Sequence, residues 1–187
     1  MSGDATHPLE MCRPGPRHRF GLKGPRAAAW LEAHGIAVPG APNTWAPAAA
    51  RPGPGAAPLV ARLGSAEFFL EDGVDCAFPA GIEPEPEAHP PGVYPVLRRD
   101  AAFVLGGTQV HEVLAQVCNV NFADLAVDAR PVIMTSMIGV TVLVVPQESG
   151  GARRYRIWCD PTFGGYLGET LESVVTECGG IYRGVSE

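Results

Sequence analysis

His111 and Cys118 are the nearest approach in this chain to a pair of metal ligands on one element. On a helix they would stand two turns apart, roughly 10.5 Å, too far to share one ion. His111 therefore reads as a surface or interface histidine. Cys159-Asp160 sets a thiol beside a carboxylate, half of a nucleophile arrangement, but no histidine neighbours it. Alternation along the segment turns Cys159 inward, so an inert core thiol is the better reading. Asp124 and Asp128 lie in "NFADLAVDARP", which reads as an exposed connection with solvated carboxylates. Arg98-Arg99 and the cluster Arg153, Arg154 and Arg156 could hold an acidic ligand. Salt bridges to a protein partner, or plain solvation, are the favoured account. Trp30, Trp45 and Trp158 are candidate core or interface anchors. Trp45, in a Pro-rich stretch, is the best placed to dock on another chain. The residues expected at a partner interface are thus Trp45, His111, Arg98 and Arg99; the expected catalytic, cofactor-binding and metal sets of this chain are empty.

Two stretches repeat one pattern. "RFGLKGPRAAAWLEAHG" and "AFVLGGTQVHEVLAQVCNV" each run from an apolar strand through glycine into a helix. Alignment puts Phe20 on Phe103, Leu22 on Leu105, Gly24 on Gly107 and Leu31 on Leu114. A helix start can bind an anion. Neither copy carries the glycine spacing of a phosphate loop, so the glycines read as tight turns into helices.

The elements around these residues follow from period and punctuation. Residues 1–16 read as a flexible N-terminal arm. "LVARLGSAEFFLEDG" has hairpin spacing around Gly64-Ser65. The two segments "VPGAPNTWAPAAARPGPGAAP" and "AFPAGIEPEPEAHPPG" read as open Pro-rich loops. Val110, Val113, Leu114 and Val117 form an i, i+3, i+4, i+7 stripe, which predicts a helix. "RPVIMTSMIGVTVLVVPQ" predicts one bent or two consecutive strands, with Gly139 at the bend. In "RRYRIWC", Tyr155, Ile157 and Cys159 alternate with Arg154, Arg156 and Trp158, the period of a half-buried strand. Asp160 is a candidate N-cap with Pro161 in the first helical turn, and Gly179-Gly180 a candidate stop. The fold class is α+β: two pseudo-symmetric lobes, 17–92 and 93–187, with mixed or antiparallel sheets and helices on one side.

Bulk properties bound the function. The 187 residues carry a net charge of −6, which argues against a nucleic-acid partner. Of the basic residues only Lys23 is lysine. The five cysteines include no C-x-x-C pair, so reduced thiols in a cytoplasmic protein are expected. The longest apolar run, Val132 to Val145, is shorter than the roughly 20 residues of a spanning helix and rich in β-branched residues, so it reads as buried strand.

Three segments taken in order, "LKGPRAAAWL", "ARLGSAEFFLEDG" and "YRIWCDPTFGGYLGETL", resemble the gamma subunit of heterotetrameric sarcosine oxidase. The likeness rests on a Gly-Pro-x-Ala helix start, on the hairpin residues Arg62, Leu63, Gly64, Glu67 and Leu70, and on Trp158, Phe163 and Tyr166. It spans about residues 19–178. The resemblance implies an aminomethyltransferase-like, folate-binding architecture in reduced form. It also implies a non-catalytic assembly subunit of a complex that oxidatively demethylates N-methyl amino acids, sarcosine oxidase itself or the related N-methylglutamate dehydrogenase. The partners would be larger alpha and beta chains and a small delta chain. Those chains would carry FAD, FMN, NAD, tetrahydrofolate and zinc, leaving no cofactor on this one. The alternative is a stand-alone folate-binding aminomethyltransferase-like enzyme, which needs a pocket carboxylate. Asp75, Asp100 and Asp124 are the donors on offer. A ligand-binding module without catalysis is a third reading, supported only by the glycine turns.

Overall fold

A computed structural model of the chain describes residues 7–48, 58–73, 82–85, 87–149 and 151–186. In chain order its strands and helices are β1 (Glu10–Pro14), β2 (Arg19–Lys23), α1 (Ala27–Ala33), β3 (Thr44–Pro47), β4 (Leu59–Arg62), β5 (Glu67–Glu71) and β6 (Tyr94–Leu97); then β7 (Ala101–Gly106), α2 (Val110–Val117), β8 (Ile133–Met137), β9 (Val140–Ser149), β10 (Ala152–Cys159), α3 (Gly164–Glu177) and β11 (Ile181–Ser186). The class is α+β with two sheets, as the pattern predicts. No helix among the described residues is long and apolar enough to cross a membrane.

The backbone forms two compact units, residues 16–99 and residues 1–15 with 100–187. The first holds an antiparallel sheet ordered β3-β4-β5-β2-β6. Phe20 and Leu22 alternate onto the face that Ala27 and Leu31 of α1 cover, with Val60, Phe68 and Leu70 beside them. Arg62 ties the Gly64-Ser65 hairpin together: its guanidinium donates to the carbonyls of Gly64 (3.2 Å), Ser65 (3.0 Å) and Pro39 (3.1 Å) and lies over the Phe68 ring. Glu67 accepts from Lys23 at 3.2 Å and Arg98 at 3.5 Å.

The second unit holds a sheet ordered β11-β1-β7-β10-β9-β8. All its pairings are antiparallel except β1 with β11. Tyr155, Ile157, Cys159, Phe103, Leu105, Val142 and Val144 line one face and pack with Val110, Val113, Leu114 and Val117 of α2 and with Leu167, Leu171 and Val175 of α3. Burying an apolar side chain of this size contributes roughly 1.5–3 kcal/mol each. The β8–β9 hairpin turns at Ile138-Gly139, both with positive φ. Asp160 caps a 3₁₀ turn that begins at Pro161, accepting from the Thr162 amide at 2.8 Å, and this turn runs straight into α3. Gly179, at φ 77, ends α3, and the Gly180 amide reaches back to the Val175 carbonyl.

The sequence repeat is realised in full backbone detail. Gly24 has φ 120 and Gly107 φ 114. Two residues on, the Arg26 amide donates to the Gly92 carbonyl (3.0 Å) and the Gln109 amide to the Pro8 carbonyl (2.9 Å). A Cβ on either glycine would fall on that same carbonyl. Each helix start thus spends an amide on a lead-in carbonyl of its own unit, which physically accounts for the missing phosphate signature.

Two expectations are corrected. Residues 10–14 are not part of a loose arm: β1 lies between β7 and β11, with Leu9 and Met11 fully buried. Nor does a single cut at 92/93 separate the units. β1 precedes β2 in the chain yet pairs with β7, and β6 precedes β7 yet pairs with β2. Each unit borrows the strand that runs up to the other unit's repeat. A chain-order reading assigns a strand to its sequence neighbours; the hydrogen-bond ladder does not. β10 also differs from expectation, being buried on both faces from Tyr155 onward: Arg156 and Trp158 are 7% and 1% exposed, the guanidinium 5.1 Å above the indole.

Candidate functional site

The polar cluster best placed for chemistry belongs to the second unit and joins α2, β10 and the connection after α2. His111 Nε2 lies 2.7 Å from the Tyr155 hydroxyl, and that hydroxyl lies 3.3 Å from the Phe122 carbonyl. The imidazole and the Phe122 ring both meet the phenol edge-on, at 5.8 and 5.3 Å between centroids. A cleft of about 280 Å³ opens beside the cluster, floored by Leu114, Cys118, Val120 and Phe122 and rimmed by His111, Asn119 and Asn121.

Local sequence builds this corner. The α2 stripe faces the sheet, which leaves His111 at its margin, one position from Val110. The Asn121 side chain accepts from the Ala123 amide (3.2 Å) and so starts a 3₁₀ turn, Phe122–Asp124, that swings the Phe122 carbonyl toward Tyr155. Asn121 Nδ2 donates to Asp124 at 2.6 Å. Arg153 reaches the Leu125 carbonyl at 3.5 Å and pairs with Glu148.

The electrostatics favour neutral groups. Burial, then the Arg153 guanidinium, hold the His111 pKa below the usual imidazole value. Burial pushes the Tyr155 phenol up, with Arg153 opposing. At neutral pH the pair is a neutral imidazole and a protonated phenol. The phenol has one proton, so it satisfies either Nε2 or the Phe122 carbonyl; donation from Nε2–H lets it satisfy the carbonyl. The arrangement holds three chain segments in register. Its nearest thiol, Cys118, faces the Thr135 hydroxyl at 3.7 Å.

The other predicted residues are scattered. Trp45 is not in a loop but on β3, half-buried and paired with Ala61. Arg98 lies over the Phe69 ring and pairs with Glu67, whereas Arg99 is exposed. Cys159 is buried, and burial with the nearby Asp100 and Asp160 carboxylates pushes its thiol up to about 11, as befits an inert thiol. Asp124 is exposed and tied to Asn121; Asp75 lies outside the described residues. The cleft lining includes no carboxylate, so it offers no acid to hold a pterin. Tyr155 is the member that the sequence pattern does not single out: its alternation marks it only as a core residue. A hydroxyl on an inward-facing strand position, needing a partner, was the available signal.

No protein-family model matches the sequence, and no curated protein matches it. Solved structures do. A chain of the heterotetrameric sarcosine oxidase from Corynebacterium sp. U-96, in complex with pyrrole 2-carboxylate, matches with TM-score 0.65 and 20% identity over 90% of this chain and 84% of that one. The glycine cleavage system aminomethyltransferase T from Bartonella henselae matches with TM-score 0.65 and 14% identity. That match covers 94% of this chain and 47% of the enzyme, so this chain spans about half its length. At these identities the likeness establishes the fold: the chain has the aminomethyltransferase-like α+β architecture.

Proposed function

We propose that this chain is a non-catalytic assembly subunit of a multi-subunit, flavin-dependent oxidoreductase that oxidatively demethylates N-methyl amino acids. The observation that carries the reading is the near-mutual coverage with a chain of heterotetrameric sarcosine oxidase. Each chain spans most of the other, so the two are close in size as well as in fold. The order of the three sequence segments supports the same assignment to the gamma position. The internal use of His111, Arg98 and the buried thiols fits a scaffold, since these side chains hold the chain's own segments together. FAD, FMN, NAD, tetrahydrofolate and zinc belong, on this reading, to the alpha, beta and delta partners in the cytoplasm. A sarcosine oxidase-like and an N-methylglutamate dehydrogenase-like complex are both accommodated.

The test is isolation from the native cells through a tag after Glu187. A yellow particle several times 19.7 kDa, containing larger chains, is expected. Its relative activity on sarcosine and N-methylglutamate identifies the complex. A colourless monomer overturns the reading and favours the stand-alone aminomethyltransferase-like enzyme, whose fold is matched equally well; tetrahydrofolate titration is then the deciding measurement.

A further inference from the structure

Helix α3 presents an outer face that its own unit does not explain. Phe163, ending the 3₁₀ turn, and Tyr166, on the first turn of α3, stand three residues apart and are 51% and 53% exposed. Tyr166 is already oriented, its hydroxyl donating to the Ile138 carbonyl at 3.3 Å. An aromatic ring fixed in advance loses little entropy on docking.

Gly165 stands between them in sequence and is exposed. The neighbouring helical glycines have internal reasons. A Cβ on Gly164 would come within 2.6 Å of the Ala101 side chain, and one on Gly168 would strike Arg13 and Phe103. A Cβ on Gly165 would meet nothing within 4 Å. Its backbone is helical and the 3₁₀ turn precedes it, so it gains nothing from a free helix end. Glycine there weakens the helix relative to alanine with no return inside the chain. Close approach of another molecule to the exposed helix backbone supplies the return.

The charge on this face has one sign. Glu169, Glu172 and Glu177 follow the aromatic pair, and the sequence of α3 has no Lys, Arg or His. Glu177 stands at the C-terminal end, where the helix dipole disfavours a carboxylate. Aromatic faces beside carboxylates are complementary to guanidinium groups, which stack on the first and pair with the second.

We infer that the outer face of α3, headed by Phe163, Gly165 and Tyr166 and continued by Glu169 and Glu172, docks an arginine-bearing surface of a larger partner protein. That the partner is a chain of the oxidoreductase rests on the proposed function.

The experiment uses the full chain, tagged after Glu187 and expressed in its own cells, with Phe163 replaced by photoreactive p-benzoylphenylalanine. A second variant carries the same group at Tyr94, on β6, which is 50% exposed. Irradiation of the purified assembly is expected to link position 163 to an arginine-containing peptide of a partner chain. In parallel, Gly165→Ala is expected to raise the melting temperature of the isolated chain by ~2–4 °C. The same variant is expected to weaken retention of the partner at least tenfold. An intact flavin-bearing assembly that links from position 94 but not 163 overturns the docking face and leaves the subunit reading standing. So does a link to a peptide without basic residues or to a second copy of this chain. A link to an arginine-bearing partner in a particle without flavin keeps the docking face and overturns the oxidoreductase reading. A free monomer overturns both. A Gly165→Ala variant that lowers the melting temperature, or leaves partner retention unchanged, overturns the docking face, because the glycine would then serve the fold alone.

Discussion

Tyr155 is the residue on which the polar corner of the second unit turns. Its hydroxyl faces both His111 and the Phe122 carbonyl, and it is fully buried. Tyr155→Phe keeps the ring and leaves both partners without it, so a loss of about 1–3 kcal/mol is expected. A shift of the urea midpoint at unchanged slope checks this. His111 adds a pH signature. Its folded pKa is depressed, chiefly by burial and then by Arg153, so below the ordinary imidazole value the unfolded chain binds a proton that the fold resists. Stability should therefore fall as pH drops beneath roughly 6.5, through the folded pKa, and be unaffected by this group at higher pH. His111→Gln keeps a hydrogen-bonding side chain without the titration. The difference between the two stability curves should be constant above pH 7 and change below pH 6.5; parallel curves over pH 5–8 would refute it. Residues picked out for family resemblance also acquire physical reasons: Arg62 staples a hairpin and Glu67 joins Lys23 to Arg98.

At the scale of elements, the two strand–glycine–helix junctions do the same mechanical work. Gly24 and Gly107 combine positive φ with a carbonyl where a side chain would go. Either change to alanine is expected to cost about 3 kcal/mol or more, since strain and backbone overlap add. Thermal unfolding of Gly24→Ala and Gly107→Ala, beside Gly139→Ala as a site with positive φ but open space, separates the two terms. Between β2 and β5, the buried Arg19–Glu71 ion pair is a second element-scale device. Removing one partner, as in Arg19→Met, leaves a carboxylate buried and should cost about 3–5 kcal/mol. A loss below 1 kcal/mol in denaturant titration would show that water reaches Glu71.

At the scale of the molecule, the exchange of β1 and β6 binds chain order to architecture. Deleting residues 1–14 removes the strand between β7 and β11 and unseats the Pro8 carbonyl from the start of α2. The truncated chain is expected to be insoluble or to lose cooperative unfolding. A loose arm predicts an unchanged melting curve, so one truncation decides between them. The exchange also implies that neither half of the sequence folds when cut at 92/93, because each would lack a strand of its sheet.

What the sequence alone determined is local. Apolar period and glycine placement were enough for α2, for the hairpins at Gly64 and Gly139, for the Asp160 cap and for the repeated junction, because each depends on contacts a few residues apart. The inward position of Cys159 followed from alternation in the same way. Only the tertiary structure decided the rest. Strand exchange depends on ladders between segments roughly seventy to a hundred residues apart, for which a period-2 pattern carries no partner label. The burial of Arg156 and Trp158 depends on what covers a sheet's second face, while the sequence records only that their side chains share a side. The His111–Tyr155–Phe122 contact joins a helix, a strand and a turn from three parts of the chain. No spacing rule links them, because the packing of a single core sets that distance.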